Sequence, residues 1–199
     1  EEKMKKAKEA AGGEPLLKLI PIQKKNVGIV TTGNEVYYGR IQDTFTPVVK
    51  EKIEEFGSAV TMECLVGDEK EKIRDAILDM IEKGAQMVVC TGGMSVDPDD
   101  RTPGAIADTG ARVVTYGAPV LPGAMLMVAY YKKKDGSEIP VLGLPGCVMY
   151  AKRTIFDLVL PRLLADDPIT REEIAQLGVG GLCLNCPVCS FPNCGFGKA

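Results

Sequence analysis

The chain has 199 residues, but it contains no histidine and no tryptophan. Histidine is the usual general base at neutral pH and the commonest protein ligand of metals. Any proton transfer or metal binding must therefore use carboxylates, lysine, tyrosine or cysteine.

Long apolar runs and an excess of positive charge are also missing. No apolar stretch approaches the length of a membrane span, and the start of the chain lacks the apolar block of a signal peptide. The formal net charge is −3, which argues against a nucleic-acid partner. We therefore expect a cytoplasmic protein that binds neither nucleic acid nor membrane. Because it begins with Glu1 rather than methionine, we expect a piece of a longer protein.

The first half of the chain alternates between strand and helix patterns. The run "NVGIVTTG" predicts a strand buried on both faces, and apolar residues at helical spacing follow between Asp43, read as an N-cap, and Gly57. The runs "SAVTMECLVG", "AQMVVCTGG" and "ARVVTYG" predict further strands, with helices at 69–83 and around 102–109 between them.

The second half predicts a hairpin and then a helix. Residues 125–144 contain two apolar runs joined by a polar turn with Asp-Gly, which is typical of antiparallel strands. After Pro145 and Gly146, a long helix is expected to about Ala165. Together these patterns predict a doubly wound α/β sheet, mainly parallel, with one antiparallel hairpin.

Composition divides the chain into four segments. We predict an N-terminal helix and linker from a truncated upstream region at 1–25, the α/β domain at 26–165, a polar linker at 166–180, and a cysteine-rich tail at 181–199.

Three predicted strands end in glycine-marked loops, which are "TTGNE", "TGGMSVDPDD" and "GLPG". In such sheets the carboxyl ends of parallel strands form the ligand-binding edge, so the loops should converge there. The middle loop also carries Asp97, Asp99 and Asp100, whose charges repel one another unless solvent, helix amides or a cation offsets them. A capped helix with a solvated acidic loop is the alternative to a cation site.

Four motifs in order, TTGNE, TGGMSVDPDD, PVLPGAM and GLPGCVMYA, resemble those of the molybdopterin-binding domain of the MoeA/MogA type, a family of molybdenum-cofactor biosynthesis. The resemblance covers about residues 26–165 and is nearest to the C-terminal part of a MoeA-like protein. It implies a three-layer α/β sandwich that binds molybdopterin, a pterin with a dithiolene and a phosphate. MoeA-type members insert molybdate into the adenylylated pterin, and MogA-type members make that form with ATP and magnesium.

The resemblance also implies site residues. Glu35 and Asp100 fall on the acidic positions of the first two motifs, where we expect them to be catalytic and to hold Mg²⁺ against phosphate or molybdate. The expected cofactor-binding residues are Thr32, Gly33, Thr91, Gly92, Gly93, Ser95, Pro122, Gly123, Pro145 and Gly146.

The chain departs from the MoeA-type pattern at several positions. Asn34 stands where the family usually has Asp, Ala124 where it has Lys, and Cys147 with Val148 where it has Asn-Pro. The adenylylation motif Gly-Gly-Thr-Gly is also unmatched. Pterin binding is therefore better supported than either catalytic step.

Two functions follow from the resemblance. The first is molybdopterin binding in cofactor biosynthesis, with Mg²⁺-dependent molybdate insertion by the intact protein. The alternative is a non-catalytic carrier or sensor whose cysteine-rich tail docks on a molybdoenzyme. A homo-oligomer is expected by resemblance alone. A general nucleotide-binding domain is disfavoured, because the chain has no P-loop and no Gly-x-Gly-x-x-Gly after its first strand.

The seven cysteines fall into two groups. Cys64, Cys90 and Cys147 lie in apolar contexts and are predicted to be buried, reduced packing residues. The tail instead has the spacing C-x2-C-x2-C-x4-C, formed by Cys183, Cys186, Cys189 and Cys194. This spacing resembles a Cys₄ zinc site or an iron–sulfur ligand run, and the alternative is free or disulfide-paired thiols in a flexible tail.

Overall fold

The computed structural model describes residues 1–12 and 17–198. Residues 13–16 of the predicted N-terminal linker and Ala199 of the tail lie outside the described residues. The strands are β1 (Asn26–Thr32), β2 (Ala59–Val66), β3 (Met87–Thr91), β4 (Arg112–Tyr116), β5 (Met127–Lys132) and β6 (Glu138–Leu144). The helices are α1 (Glu2–Ala10), α2 (Asn34–Tyr37), α3 (Phe45–Glu54), α4 (Lys70–Glu82), α5 (Thr102–Asp108), α6 (Ile155–Leu164) and α7 (Arg171–Gln176).

The six strands form one mixed sheet in the order β2-β1-β3-β6-β5-β4. The strands β1, β2, β3 and β6 are parallel, and β5 runs antiparallel to both of its neighbours. This confirms the predicted α/β fold with its mainly parallel sheet and one hairpin. The parallel pairing also brings the carboxyl ends of β1, β3 and β6 to the same edge.

Apolar clusters cover both faces of the sheet, which gives three layers. One cluster joins the sheet to α3, α6 and α7, and the other joins it to α4 and α5. Strand β3 is buried along its whole length, as the apolar run "MVVCT" predicts for a central parallel strand. Among the described residues, no helix combines the length and apolar character that crossing a bilayer requires.

The segment after β6 differs from the single long helix that we predicted. A short 3₁₀ turn occupies Gly146–Met149, and α6 starts only at Ile155. Thr154 and Asp157 form a capping box that fixes this start. The Thr154 hydroxyl accepts the Phe156 amide at 3.2 Å, and the Asp157 carboxylate accepts the Thr154 amide at 2.7 Å.

The segment 166–180, predicted as a linker, contains α7. Thr170 and Glu173 form a second capping box at its start. Ile174 is 2% exposed and packs with the core of the domain. The sequence "TREE" carries the capping-box signature, so this helix was detectable from the sequence.

A buried ion pair connects α3 to the start of α6. Lys52 Nζ lies 2.6 Å from Asp157 Oδ1, and the two side chains are 10% and 4% exposed. Arg153 donates to the same Asp157 oxygen at 2.8 Å, and the Thr154 amide donates to the other at 2.7 Å. A single carboxylate thus pairs with two cations and caps a helix.

We expect Asp157→Asn to lower the free energy of unfolding by about 3 kcal/mol, because it leaves the Lys52 ammonium buried without its counter-charge. Urea denaturation measures the change. The matched control is Asp79→Asn, which breaks the exposed ion pair with Lys83 and should cost less than about 0.5 kcal/mol. Equal losses in the two variants would contradict the assigned role of Asp157.

Candidate functional site

A cleft of about 700 Å³ opens at the carboxyl ends of β1, β3 and β6. Part of each glycine-marked loop reaches it, as the sequence predicted. The predicted site residues that line it are Thr32, Gly33, Glu35, Thr91, Gly92, Gly93, Ser95, Asp100 and Gly146.

The first loop leaves β1 through Gly33, whose φ of 128° is a conformation that L side chains rarely adopt. The Asn34 amide donates to the Asp68 carboxylate at 3.0 Å, and the Asp68 amide donates back to the Asn34 side-chain oxygen at 3.4 Å. A neutral residue at position 34 avoids like-charge repulsion with Asp68. The departure from the family's Asp therefore has a local structural reason.

The Glu35 side chain is exposed and lines the same cleft. Its carbonyl accepts the Arg40 amide at 2.8 Å, whereas its carboxylate has no hydrogen bond or ion pair with a described residue. The carboxylate is therefore free to interact with a ligand or a hydrated ion.

The second loop lies against the end of β1. A Cβ at Gly92 would stand 2.2 Å from the Thr32 carbonyl oxygen, and φ is +84° at Gly92 and +54° at Gly93. The Thr102 hydroxyl donates to the Gly92 carbonyl at 2.9 Å and lies 3.1 Å from the Thr32 hydroxyl. Because Thr102 has a single hydroxyl proton, Thr32 is the donor in that second contact.

The floor of the cleft contains a polar group without a partner. Thr91 is fully buried, and its hydroxyl makes no hydrogen bond with a described residue. An unsatisfied buried hydroxyl costs about 1–3 kcal/mol, which a polar ligand atom or a water molecule at the floor would offset.

Backbone hydrogen bonds account for the cluster of aspartates in the second loop. Asp97 accepts the Asp99 amide at 3.0 Å, Asp100 accepts the Ser95 amide, and the Ser95 hydroxyl accepts the Asp97 amide at 3.2 Å. The three carboxylates lie at or near the solvent boundary, with Asp99 93% exposed. Solvent and local amides thus offset part of the repulsion between these carboxylates, while α5 after the loop has Arg101 as its N-cap and no side-chain cap, so the capped helix of the alternative is not formed.

Tyr116 at the end of β4 braces this loop. Its hydroxyl donates to the Ser95 carbonyl at 3.0 Å. Burial, and then the nearby charge of Asp100, raises the pKa of Tyr116 above its ordinary value. The hydroxyl therefore keeps the proton that this hydrogen bond needs.

Three predicted binding residues lie outside the main cleft. Pro122, Gly123 and Pro145 line a second cavity of about 430 Å³, together with Cys147 and Cys183. A Cβ at Gly123 would lie 2.3 Å from the Ile155 side chain, and the Pro122 carbonyl accepts the Ile155 amide at 3.0 Å. The Pro-Gly pair thus packs against the start of α6.

The structure adds residues that the sequence analysis did not assign to the site. Asp68 follows β2 at the same edge of the sheet, and Tyr150 stands at the rim with 83% of its surface exposed. Asp43 was predicted only as an N-cap. The N-cap of α3 is Thr44, one residue later, but the Asp43 carboxylate accepts the Phe45 and Thr46 amides at 2.9 and 3.0 Å, and Asp43 also lines the cleft.

The predicted metal ligands do not form a single-ion site. Among residues 1–12 and 17–198, no three side chains of His, Cys, Asp or Glu converge on a common point that could hold a metal ion. Glu35 and Asp100 share the cleft, and the four tail cysteines share a separate cavity.

No disulfide bond joins the seven cysteines within the described part of the chain. Cys90 is buried as predicted, and burial raises the pKa of its thiol to about 12. Cys64 and Cys147 are only half-buried, which corrects the prediction of full burial. Cys64 lies on β2, whose residues alternate in exposure because it is an edge strand.

We expect Gly92→Ala to destabilise the protein more than Gly136→Ala does. Both glycines have φ near +85°, but the space beside Gly136 is open, whereas a methyl group at position 92 overlaps the Thr32 carbonyl. Thermal or urea unfolding should show a cost of about 1 kcal/mol at position 136 and about 2 kcal/mol more at position 92. Equal costs would mean that the loop can move away from β1 freely.

Curated relatives match part of the chain. Proteins described as competence-damage inducible, from Bacillus cereus strain AH187 and Bacillus anthracis strain CDC 684, are each 30% identical over 113 residues. The match covers 57% of this chain and 26% of each relative. The aligned region therefore spans about a quarter of the length of these relatives.

Solved structures share the fold at low identity. They include the tungsten cofactor synthesizing protein MoaB of Pyrococcus furiosus, with a TM-score of 0.58, 17% identity and coverage of 72% of this chain and 97% of that one. CinA of Thermoplasma acidophilum has a TM-score of 0.56 and 17% identity, and covers 70% and 98%. The molybdopterin biosynthesis enzyme MoaB of Thermus thermophilus has a TM-score of 0.54 and 21% identity, and covers 72% and 98%.

The sequence also matches the model of a protein family over the region that contains the cleft. The family described as "Probable molybdopterin binding domain" matches residues 28–165, which include every predicted residue of the main cleft. Because this match covers more than half of the sequence, the chain belongs to the family of molybdopterin-binding domains.

Proposed function

We propose that the cleft at the ends of β1, β3 and β6 binds molybdopterin or its adenylylated form. The observation that carries this proposal is the convergence of the glycine loops at 33, 92–93 and 146 in one cleft of about 700 Å³. Such a volume is typical of small-molecule sites, which occur at this edge of α/β sheets.

The second loop supplies groups suited to an anionic ligand. Positive φ at Gly92 and Gly93 turns the backbone so that a ligand can approach it closely. The Ser95 hydroxyl accepts the Asp97 amide, so its own proton remains available for a phosphate oxygen.

We propose that Asp100 and Glu35 hold a hydrated Mg²⁺ against the phosphate of the ligand. Both residues line the cleft, and the Glu35 carboxylate has no hydrogen bond or ion pair with a described residue. Mg²⁺ keeps several waters and commonly uses only one or two carboxylates plus phosphate, so three converging side chains are not required. When bound, the ion would neutralise phosphate charge beside the acidic loop.

The role in the longer protein is a further proposal. Molybdate insertion with Mg²⁺ would use Glu35 and Asp100. A non-catalytic carrier or sensor, docked on a molybdoenzyme, is favoured by Ala124, which removes the family's lysine and lines the second cavity beside the tail. Turnover with adenylylated pterin, molybdate and Mg²⁺ distinguishes the two roles.

The narrower resemblance to the C-terminal part of a MoeA-type protein gains no support from the structural neighbours, which are MoaB and CinA proteins.

Several broader expectations also stay proposals. These are the domain division at 26–165, a cytoplasmic location and a homo-oligomer. The helix α7 and the buried Phe196 show that residues beyond 165 pack on the domain core, so we propose that a folding unit extends past that boundary.

We expect Asp100→Asn to weaken molybdopterin binding by about tenfold in the presence of Mg²⁺ and to change it little without the ion, because only the carboxylate charge attracts the cation. The asparagine keeps an oxygen that can accept the Ser95 amide, so the loop should stay folded. Anaerobic ultrafiltration of the chain with molybdopterin measures the binding.

The matched control is Asp99→Asn on the same loop. The Asp99 carboxylate is 93% exposed and does not line the cleft, so this variant should bind molybdopterin as the wild type does. Equal weakening by both variants would indicate a general charge effect and remove the specific role of Asp100. A folded wild-type chain that shows no saturable binding would overturn the proposed function itself.

A further inference from the structure

The four tail cysteines surround one small cavity. Cys183, Cys186, Cys189 and Cys194 all line a space of about 100 Å³ whose walls are otherwise mainly apolar, with Phe191 and Phe196 among them. All four thiols come from one segment of twelve residues, as the spacing C-x2-C-x2-C-x4-C predicted. The structure places this set of metal-ligating groups in a cavity of its own, apart from the main cleft.

The protein holds both ends of this segment in place. Leu121 and Leu182 form a β-bridge, in which the Cys183 amide donates to the Leu121 carbonyl at 2.8 Å. At the other end Phe196 is 5% exposed in the core, and the Gly197 amide donates to the Gly180 carbonyl at 2.8 Å. The tail is thus a folded loop on the domain, not a flexible appendage.

Gly180 and Gly181 allow this loop to close. A Cβ at Gly180 would lie 2.3 Å from the Gly195 carbonyl oxygen, and one at Gly181 would lie 2.2 Å from the Pro119 carbonyl oxygen. Only glycine permits such contacts between backbones. The two positions fix where the first and last cysteines enter the cavity.

A cation faces the sulfur atoms. Arg153 lines the cavity beside Cys189 and stacks over the Phe191 ring, with its guanidinium carbon 5.0 Å from the ring centre. Asp157 holds the same guanidinium at 2.8 Å. A fixed positive charge therefore lines the same cavity as the four cysteines.

The spacing of the thiols distinguishes a single ion from a cluster. Four sulfurs around one zinc ion lie about 3.8 Å apart, given zinc–sulfur bonds of about 2.3 Å in a tetrahedron. The described thiols line one cavity but are not grouped closely enough to hold a metal ion, so the tail must draw them together when a metal centre binds. The run C-x2-C-x2-C with a fourth cysteine close behind favours an iron–sulfur cluster over a single zinc ion, because it resembles iron–sulfur ligand runs.

We propose that Cys183, Cys186, Cys189 and Cys194 bind a [4Fe–4S] cluster in this cavity. On binding, each thiol releases its proton to solvent and forms one sulfur–iron bond, while the cluster supplies its own iron and sulfide. Phe191 and Phe196 give the cavity apolar walls, whereas the exposed Cys186 and Cys189 place one side of the cluster at the protein surface.

The proposed cluster lies beside the wall of the ligand cleft. Arg153, Cys189 and Phe191 also line a groove shared with Met149 and Tyr150, and these two residues line the cleft. This continuity places the cluster next to the segment that closes one side of the cleft. The proposal does not depend on molybdopterin binding, since iron content is measured without the pterin.

The test is anaerobic reconstitution of the full chain with equal amounts of ferrous and ferric iron and with sulfide, which together match the mean iron valence of a [4Fe–4S]²⁺ cluster, followed by desalting. We expect about four irons and about four acid-labile sulfides per chain, with a visible charge-transfer absorption that dithionite bleaches. The variants Cys186→Ser and Cys194→Ser should lose most of the iron. Cys64→Ser is the matched control, because Cys64 lies on β2 outside the tail and should leave the iron content unchanged.

Circular dichroism establishes whether each variant is folded. If a tail variant does not fold, the electron paramagnetic resonance spectrum of the reduced wild-type chain decides, because a [4Fe–4S] cluster has its own signature. One zinc per chain without sulfide would overturn the cluster. Equal iron in the wild type and in the folded tail variants, or no metal in the folded wild type, would overturn it as well.

Discussion

The close approach of the second loop to β1 at Gly92 is the contact on which the cleft depends. The Thr32 carbonyl occupies the space that any side chain at position 92 would need. The Thr102 hydroxyl contacts both the Gly92 carbonyl and the Thr32 hydroxyl. With these loops held together at the ends of adjacent parallel strands, the cleft between them has a fixed floor. Thr91 on that floor keeps an unpartnered hydroxyl among the described residues. The approach therefore shapes the site as well as stabilising it.

The acidic loop illustrates how local structure can offset like charges. Its carboxylates accept backbone amides, and Tyr116 holds the loop from the side. These contacts stabilise the loop without a cation, yet they leave Asp100 and Glu35 in the same cleft. An aspartate can therefore both support the loop and attract a ligand. Accepting the Ser95 amide uses one oxygen of the Asp100 carboxylate, while the negative charge of that carboxylate still acts over a longer distance.

The Lys52–Asp157 ion pair lies between the cleft and the tail and contacts elements that border both. Asp157 anchors α3 through Lys52 and fixes Arg153, which then faces the cysteine cavity and stacks on Phe191. One buried carboxylate therefore connects the core, the start of α6 and the tail. The tail and the cleft are built on the same rigid layer, with Met149 and Tyr150 between them.

The sequence by itself determined the strands, most helices and the edge of the sheet where the site forms. Apolar periodicity and glycine at the strand ends are local signals, and parallel strands necessarily align their carboxyl ends. It did not determine where Pro122, Gly123 and Pro145 lie, because their second cavity depends on packing against Ile155 and the tail. The early break before α6 was also missed, because the capping box at Thr154 competes with an apolar pattern that runs through it. Only the tertiary structure decided that the four tail thiols surround one cavity, since Phe196 and the bridge at Leu121 bring distant segments together.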